Sequence, residues 1–347
     1  MFVDVVAAKE VLTEYFNAPG VELLLRVMQP AIGFEPIEGS SEPALGATRI
    51  GGTPDLPPSE PWPVRPIPVD AEAIAARGGS RHAPHLQRHL AQPLPFEFLA
   101  QVDLAEADAL GEGAEALPRE GRLLFFYDGA VGPWHNGTES ARVIWDRTAP
   151  AQIERKGLPR ALVDLHVEFS TALKRGEPPP DPHAVTAATP SYQWGPASAM
   201  RLVPMLRPPA QNTLERAPDN KEADTEFIEA LQDEDFEASI DALFDDRHVY
   251  GAPRQQLLGL PLPEQDDPRY SAAVTTELGI QFLTPETARE NWPRIAAAAP
   301  QWRLLLQIDM QDYLQQPYVE GTVYFLIRRD DLATRAFDKV VAIYQQT

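Results

Sequence analysis

The sequence contains no cysteine in its 347 residues. This absence excludes disulfides, thiol catalysis and cysteine-based zinc sites, and it fits a reducing compartment. No stretch approaches the roughly 18 consecutive apolar residues that a membrane-spanning helix needs. The first residues carry Asp4 and Glu10 within an apolar stretch and have no basic leader, so we expect no signal peptide. Together these absences predict a cytoplasmic protein.

Positive charge is also scarce, with 30 Lys and Arg against 51 Asp and Glu and a net charge of -21. An acidic surface repels phosphate backbones and anionic lipids, so we expect no nucleic acid and no membrane among the partners. The charge serves solubility, and it could also offer an acidic face to a basic protein partner. The 36 prolines, by contrast, are numerous and predict many irregular connections.

Signatures of familiar enzymes are missing from the sequence. It has no phosphate-binding Gly-Lys-Ser/Thr loop, no dinucleotide fingerprint, no Gly-x-Ser-x-Gly and no HExxH. The segment 166–168 matches half of a zinc-deaminase pattern whose paired cysteines this chain lacks. We therefore expect no cofactor, although a nucleophile and a base could still be brought together from distant residues.

What the sequence does contain is an internal repeat. The segment FLAQVDL at 98–104 is echoed by LLLQIDM at 304–310, and each copy is followed by a glycine and a second apolar run, at 121–127 and 321–327. Repeats of this kind indicate architecture. Asp-Gly and Asn-Gly pairs after the first copy favour antiparallel hairpins. We predict an α+β fold of two pseudo-symmetric lobes of mainly antiparallel sheet with short helices, produced by an internal duplication.

We predict that the chain forms a single domain made of four consecutive parts. The connection between the lobes is rich in proline, and only 161–168 in it looks like a strand. Apolar residues recur every four positions from Glu222 to Asp246, which predicts one or two amphipathic acidic helices. The parts are an N-terminal helix and lead-in at 1–46, a first lobe at 47–150, the connection at 151–250, and a second lobe at 251–347.

The repeat places a Gln-x-Asp pair at the end of a core strand in each lobe, Gln101 with Asp103 and Gln307 with Asp309. Alternation along a strand puts both members of a pair on one face. If a pseudo-twofold axis relates the lobes, the pairs converge on a central cleft, where two carboxylates could perform acid–base chemistry. The alternative is structural, with each Asp capping a helix and each Gln satisfying backbone groups at a strand end.

Other side chains could contact a ligand. Trp62 lies in the Gly- and Pro-rich tract 51–63, which we expect to be an ordered loop held by Leu56 and Trp62. Amphipathic side chains flank a predicted hairpin turn and could line a groove or pack across strands: Trp134, His135, Arg142 and Trp145. Three histidines share one face of a predicted helix: His82, His85 and His89. Their spacing fits a metal ligand set, but an intervening proline and the lack of a neighbouring carboxylate favour a polar helix face, so we expect no metal.

Four motifs occur in order along the chain: GGTPDLPP with PWP at 51–63, FLAQVDL at 98–104, QLLGLP at 256–261 with Gln265, and LLLQID at 304–309 ending in GTVYF at 321–325. Over about residues 45–345 this set resembles the YwqG-like bacterial family. The resemblance implies an α+β fold with duplicated antiparallel halves. It implies no activity, because the family is known chiefly as a domain of unknown function. Gln255 departs from the pattern, which leads us to expect histidine there.

The function predicted from these observations is a non-catalytic cytoplasmic binding or protein-interaction protein. Its contact surface would be the acidic helices at 222–246 or the cleft between the lobes. Family members are discussed near bacterial toxin and immunity systems, so the resemblance also implies a link of that kind. The alternative is a hydrolase acting in the cleft between the lobes, and both readings share one set of candidate contacts: Gln101, Asp103, Gln307, Asp309 and Trp62.

Overall fold

The structure is a computed structural model, and it describes residues 2–39, 43–174, 176–245, 255–316 and 319–346. Its helices are α1 (Val5–Tyr15), α2 (Ala18–Val27), α3 (Ala71–Arg77), α4 (Gly79–Leu90), α5 (Leu104–Asp108), α6 (Arg160–Leu173), α7 (Lys221–Ala230), α8 (Glu234–Asp245), α9 (Pro268–Leu278), α10 (Pro285–Ala298), α11 (Met310–Leu314) and α12 (Arg329–Ala333). Within these described ranges, every helix is too short or too polar to cross a bilayer.

The strands are β1 (Gln29–Pro36), β2 (Arg49–Ile50), β3 (Asp55–Leu56), β4 (Glu97–Asp103), β5 (Arg122–Tyr127), β6 (Ala141–Asp146), β7 (Glu154–Arg155), β8 (Ser198–Arg207), β9 (Gln256–Leu257), β10 (Trp302–Asp309), β11 (Thr322–Arg328) and β12 (Val341–Gln345). Ten of them form one antiparallel sheet in the order β12-β11-β10-β9-β1-β8-β2-β4-β5-β6. The remaining two, β3 and β7, pair with each other. The predicted α+β class with a mainly antiparallel sheet is therefore confirmed.

The long strands β1 and β8 pair at the centre of the sheet. Each is flanked by a two-residue strand and then by three strands that are consecutive in the chain: β9 leads to β10, β11 and β12, and β2 leads to β4, β5 and β6. Short connections between sequential antiparallel strands explain why each three-strand unit stays together. Both Gln-x-Asp segments lie where they were predicted, at the ends of β4 and β10.

The sheet curls until its two ends meet. Gly137, which precedes β6, exchanges backbone hydrogen bonds with Ala342 of the opposite end strand (2.9 and 3.2 Å). Inside the curl, the ring of Phe125 on β5 contacts that of Phe325 on β11, with centroids 5.3 Å apart. Both rings belong to one buried apolar cluster supplied by both sides of the sheet. Removal of this apolar surface from water is the main stabilising term of the fold.

The two sides of the sheet share their irregular features. The pairing of β4 with β5 and of β10 with β11 shifts register at Leu99 and at Leu305 respectively, as at a β-bulge. The carbonyl group of each bulged residue accepts a hydrogen bond from the residue that follows the short strand, Gly51 (2.8 Å) or Leu258 (3.3 Å). Both of these donors have left-handed φ values, 70° and 57°.

The strand ends match as well. The first residues of α5 and α11, Leu104 and Met310, donate backbone hydrogen bonds to the carbonyls of Gly121 and Gly321 (3.0 and 2.9 Å). These glycines have φ values of 86° and 93°, and a Cβ on either would approach a carbonyl oxygen of the neighbouring strand to 2.5 or 2.6 Å. Glycine is therefore required at both positions.

Helices cover the sheet in two groups. α1, α2, α7 and α8 form a separate apolar cluster, which is joined to β8 by backbone hydrogen bonds between Phe2 and Leu206. α9 and α10 pack on the other group of strands, β10 to β12. The acidic stretch thus forms two amphipathic helices as predicted, although its last residue, Asp246, lies outside the described residues.

One predicted strand is wrong. Residues 161–168 belong to α6, which begins after Pro159 and buries Leu162, Val163 and His166 on one face. This spacing of three and four residues is helical, and the short apolar run concealed it. The central strand β8 was not predicted, because Pro204 and the prolines around it weaken the strand pattern.

Candidate functional site

Gln101 and Gln307 are buried and hold the segments next to the two short strands. The Gln101 Nε2 donates to the carbonyl of Ala47 (3.0 Å) and to the carboxylate of Asp55 (3.1 Å), and its Oε1 accepts from the Asp55 backbone (3.2 Å). The Oε1 of Gln307 accepts from the Leu262 backbone (3.0 Å). Such bonds are expected if each glutamine satisfies backbone groups at a strand end, which is the structural alternative to ligand binding.

Asp103 and Asp309 cap helices. Asp103 accepts a hydrogen bond from the backbone of α5 (3.0 Å), and Asp309 accepts one from the backbone of α11 (2.9 Å). In a capping box, the backbone N–H of Asp103 would donate to the side chain of Glu106. Here that N–H donates to the hydroxyl of Thr48 (3.0 Å) instead, and Glu106 accepts from the β8 backbone (2.8 Å). Caps of this kind contribute about 1 kcal/mol each. A catalytic role for the two aspartates stays a prediction.

A buried ion network lies beside Gln101. Asp55 is fully buried and accepts hydrogen bonds from Arg49 Nη1 (2.6 Å), Arg155 Nε (3.1 Å) and the Gly46 backbone (2.8 Å). Burial acts to raise the pKa of Asp55, but hydrogen bonds and charge from the two guanidinium groups outweigh it and lower that pKa to about 2. The carboxylate is therefore ionised at neutral pH and serves as a structural anchor.

Trp62 is partly buried and helps to hold its loop. Its Nε1 donates to the carbonyl of Phe96 (2.8 Å), and its ring meets that of Phe126 edge-on with centroids 6.1 Å apart. Leu56 belongs to the same apolar cluster. The ordered loop expected at 51–63 is present, and a ligand contact by Trp62 stays a prediction.

The three histidines lie on α4 as predicted, but across the described ranges no group of three metal-ligating side chains comes together. His89 is buried with its Nε2 3.2 Å from the carboxylate of Asp128, and the ring of His82 packs near Trp134 with centroids 5.5 Å apart. Burial, followed by the charge of His89, lowers the pKa of His85. The rings of His85 and His89 are neighbours, with centroids 6.3 Å apart.

The aromatic residues around the hairpin pack against separate neighbours. His135 Nδ1 lies 2.8 Å from Arg77, while Trp145 donates to the carbonyl of Glu120 (3.0 Å) and contacts the ring of Phe337. Aromatic side chains that flank hairpins commonly pack in this way. The packing alternative of the sequence analysis accounts for these contacts.

A cavity of about 680 Å³ opens where the two sides of the sheet approach each other, and we call it the seam cavity. This volume lies within the roughly 300–1,000 Å³ range of small-molecule sites. Its apolar lining includes Leu258, Pro261, Leu304 and Leu332. The wall combines parts of both predicted lobes, of the connection between them and of the centre of the sheet: 29–30 of β1, the loop 112–116, 218–219 before α7, the turn 258–261, Arg269 of α9, 303–304 of β10, and 329–335 of α12 with its following turn.

Four arginines also line the seam cavity. Arg269 is buried and pairs with Asp267 at 2.7 Å. Arg303 and Arg335 are half-buried, and their guanidinium groups donate to backbone carbonyls. Neither of these two nor the exposed Arg329 has a carboxylate within ion-pair distance among the described residues. Three exposed carboxylates also line the cavity: Glu112, Glu115 and Asp219. The half-buried Arg303 and Arg335 nevertheless have no paired anion among the described residues.

Two strained residues lie in the same wall. Leu258 and Arg335 have φ values of 57° and 62°, a region that side chains other than glycine adopt rarely and that often marks functional sites. The conformation at Arg335 brings its guanidinium group to the carbonyls of 116–117. One arginine thus ties the turn after α12 to the loop between α5 and β5.

A second depression, of about 970 Å³, lies between α1–α2 and α7–α8. Arg26 lines it but pairs with Glu226. A basic partner on this acidic surface stays a prediction. The lining of the depression also includes aromatic and acidic side chains: Tyr15, Phe16, Phe236, Glu22, Asp233 and Asp235.

The cavity arginines could not be predicted from the sequence, because each stands alone in a segment where a charged surface residue is ordinary. A comparison of the two copies offers a signal. Arg303 precedes the segment Leu-Leu-Leu-Gln-Ile-Asp at the position where Glu97 precedes Phe-Leu-Ala-Gln-Val-Asp. Their strand partners, Ile327 and Tyr127, also correspond. The two segments therefore have matching strand partners but differ in charge at this position.

A family model described as a domain of unknown function, DUF1963, matches residues 48–345. The match covers most of the chain, so the protein belongs to this family. The resemblance to the YwqG-like family is consistent with it. No curated protein matches the sequence significantly.

Proposed function

We propose that this protein is a non-catalytic binding protein and that the seam cavity is its binding site. The position of the cavity carries the proposal, because its wall combines segments from both predicted lobes with the strained residues Leu258 and Arg335. Pockets of this size between structural units are common small-molecule sites. A cytoplasmic location belongs to the proposal and is supported by the absence of cysteine. A link to toxin and immunity systems stays an expectation of the family resemblance.

We also propose that the two lobes are copies of one duplicated unit. The matched bulges and glycines support this, and so does a further pair of bonds. The backbone of Asp103 donates to Thr48 (3.0 Å), and the backbone of Asp309 donates to the side chain of Gln255 (2.8 Å). Gln255, where the family pattern leads us to expect histidine, thus ties the short strand to β10. Under this proposal the binding site lies where the copies meet.

The hydrolase alternative has less support. It requires Asp103 and Asp309 to face one solvent-filled cleft, whereas both accept hydrogen bonds from helix N-termini. Neither is among the residues that line the seam cavity. A hydrolytic role therefore stays a prediction without an observation that favours it.

Filling the seam cavity tests the binding proposal. Ala333 is exposed and lines the cavity, so Ala333→Trp should occupy part of it. The measurement is ligand-observed NMR with a fragment library that contains acids, bases and neutral compounds in equal numbers. Fragments that bind the wild type should lose binding in this variant and keep it in Ala73→Trp, an exposed position on α3.

Melting curves should first show that both variants are folded. Fragments that bind Ala333→Trp as well as they bind the wild type would contradict the proposal. So would a library that yields no binder.

A further inference from the structure

We infer that the seam cavity binds a small organic anion, in which a carboxylate or phosphate group is joined to an apolar part. This inference rests on the proposed function and adds the chemical class of the ligand. It starts from a contrast in charge, because a chain with a net charge of -21 gathers Arg269, Arg303, Arg329 and Arg335 around one cavity.

The burial of Arg303 and Arg335 requires a counter-charge, whereas Arg269 already pairs with Asp267 and Arg329 is exposed. Arg303 donates to the carbonyls of Pro300 (2.8 Å) and Trp302 (2.9 Å), and Arg335 donates to those of Leu332 and Leu117 (3.3 Å each). Carbonyl groups satisfy some N–H donors but do not neutralise a guanidinium ion. A half-buried cation without a paired anion is unfavourable, and a guanidinium group matches the two oxygens of a carboxylate or phosphate. An anionic ligand would supply the missing partner.

The corresponding position in the other lobe has the opposite charge. Glu97 is buried there, and the backbone of the loop after β5 closes over its carboxyl group, since a Cβ on Gly129 would approach Glu97 to 2.7 Å. Arg303 instead faces an open cavity. The strand pairing that the two lobes share therefore does not require an arginine at this position. We attribute Arg303 to the cavity that it lines.

The rest of the wall limits the size and charge of the ligand. Leu258, Leu304 and Leu332 offer apolar surface to the body of a ligand. Three carboxylates also line the cavity, Glu112, Glu115 and Asp219; they are exposed and would repel a polyanion. These features favour a small molecule with one anionic group over a polyphosphate or a nucleic acid.

Four probes of similar shape test the inference with the full chain: benzoate, phenyl phosphate, benzamide and benzamidine. Dissociation constants are measured by NMR titration. Benzoate or phenyl phosphate should bind about tenfold more tightly than neutral benzamide, and cationic benzamidine should bind weakest. The preference between benzoate and phenyl phosphate then identifies the anionic group.

Two variants locate the contact. Arg303→Gln and Arg329→Gln should each weaken binding of the preferred anion several-fold, and together by about tenfold. Arg329 is exposed, so its replacement should leave the fold intact. Arg289→Gln, at an exposed arginine on α10, should leave the affinity unchanged.

The outcomes separate the inference from the proposed function. Equal binding of benzoate and benzamide, a preference for benzamidine, or anion binding that survives both arginine replacements would overturn the inference. The proposed function would still stand if those probes were lost in Ala333→Trp. If none of the four probes binds and the fragment library gives no binder, both fail.

Discussion

Replacing Asp55 with Asn should destabilise the protein by about 3 kcal/mol at neutral pH. Asp55 is fully buried and accepts hydrogen bonds from two arginines, of which Arg49 is itself only 1% exposed. The lowering of its pKa from the usual 3.8 to about 2 corresponds to ~2.4 kcal/mol, at about 1.4 kcal/mol for each factor of ten. Leaving a buried cation without its anion costs about 3–5 kcal/mol in other proteins. The expected value lies between these figures.

The pH dependence follows from the direction of that pKa change. The pKa of Asp55 is lower in the folded state, so its carboxylate contributes stability above about pH 4 and loses it as the pH falls through 2. The stability difference between the wild type and Asp55→Asn should therefore shrink as the pH is lowered from 5 to about 3. At higher pH the difference should be constant.

Urea unfolding followed by the fluorescence of the six tryptophans measures these free energies. Asp164→Asn is the matched control, because Asp164 forms an exposed ion pair with Arg160, which contributes about 1 kcal/mol at most. The reasoning is refuted if the Asp55 variant loses no more stability than the Asp164 variant.

Two further predictions concern the buried carboxyl group of Glu97 and the two glycines at corresponding strand ends, Gly121 and Gly321. Burial and nearby Asp128 raise the pKa of Glu97 well above its usual range in the folded state. Above about pH 4.3 the carboxyl group ionises in the unfolded state before it does so in the folded state, so the fold loses stability as the pH rises. Glu97→Gln should therefore raise the melting temperature at pH 7 and have little effect near pH 4; an equal change at both values contradicts the assignment. Gly121→Ala and Gly321→Ala should each cost more than about 1 kcal/mol in urea unfolding, and by similar amounts. Gly39→Ala, where no atom lies within 4 Å, should cost less, and clearly unequal costs at 121 and 321 would count against equivalent lobes.

The strands that carry the repeat could be predicted because their signals are local. β4 and β10 each read as an apolar run that ends in Gln-x-Asp, and Asp103 and Asp309 carry capping patterns that act within a few residues. Strand β8 could not be predicted in the same way. It lies at the centre of the sheet because β1 and β2 pair with it, and Pro204 hides its pattern.

The seam cavity depends on contacts across most of the chain. Its wall forms because Arg335 reaches the carbonyls of 116–117, more than two hundred residues earlier. No pattern within a single segment encodes such an approach. The sequence repeat therefore predicted the strands β4 and β10, whereas the arginines that line the cavity come from segments that only the fold brings together.

Hydrogen exchange of the full chain, with and without its strongest-binding fragment, tests the central claim most directly. We expect slower exchange in the bound state at 112–116, 258–261 and 329–335, which wall the seam cavity from both lobes. Ala333→Trp should abolish this protection. Protection confined to α7 and α8, or none at these three segments, would contradict a binding site at the seam.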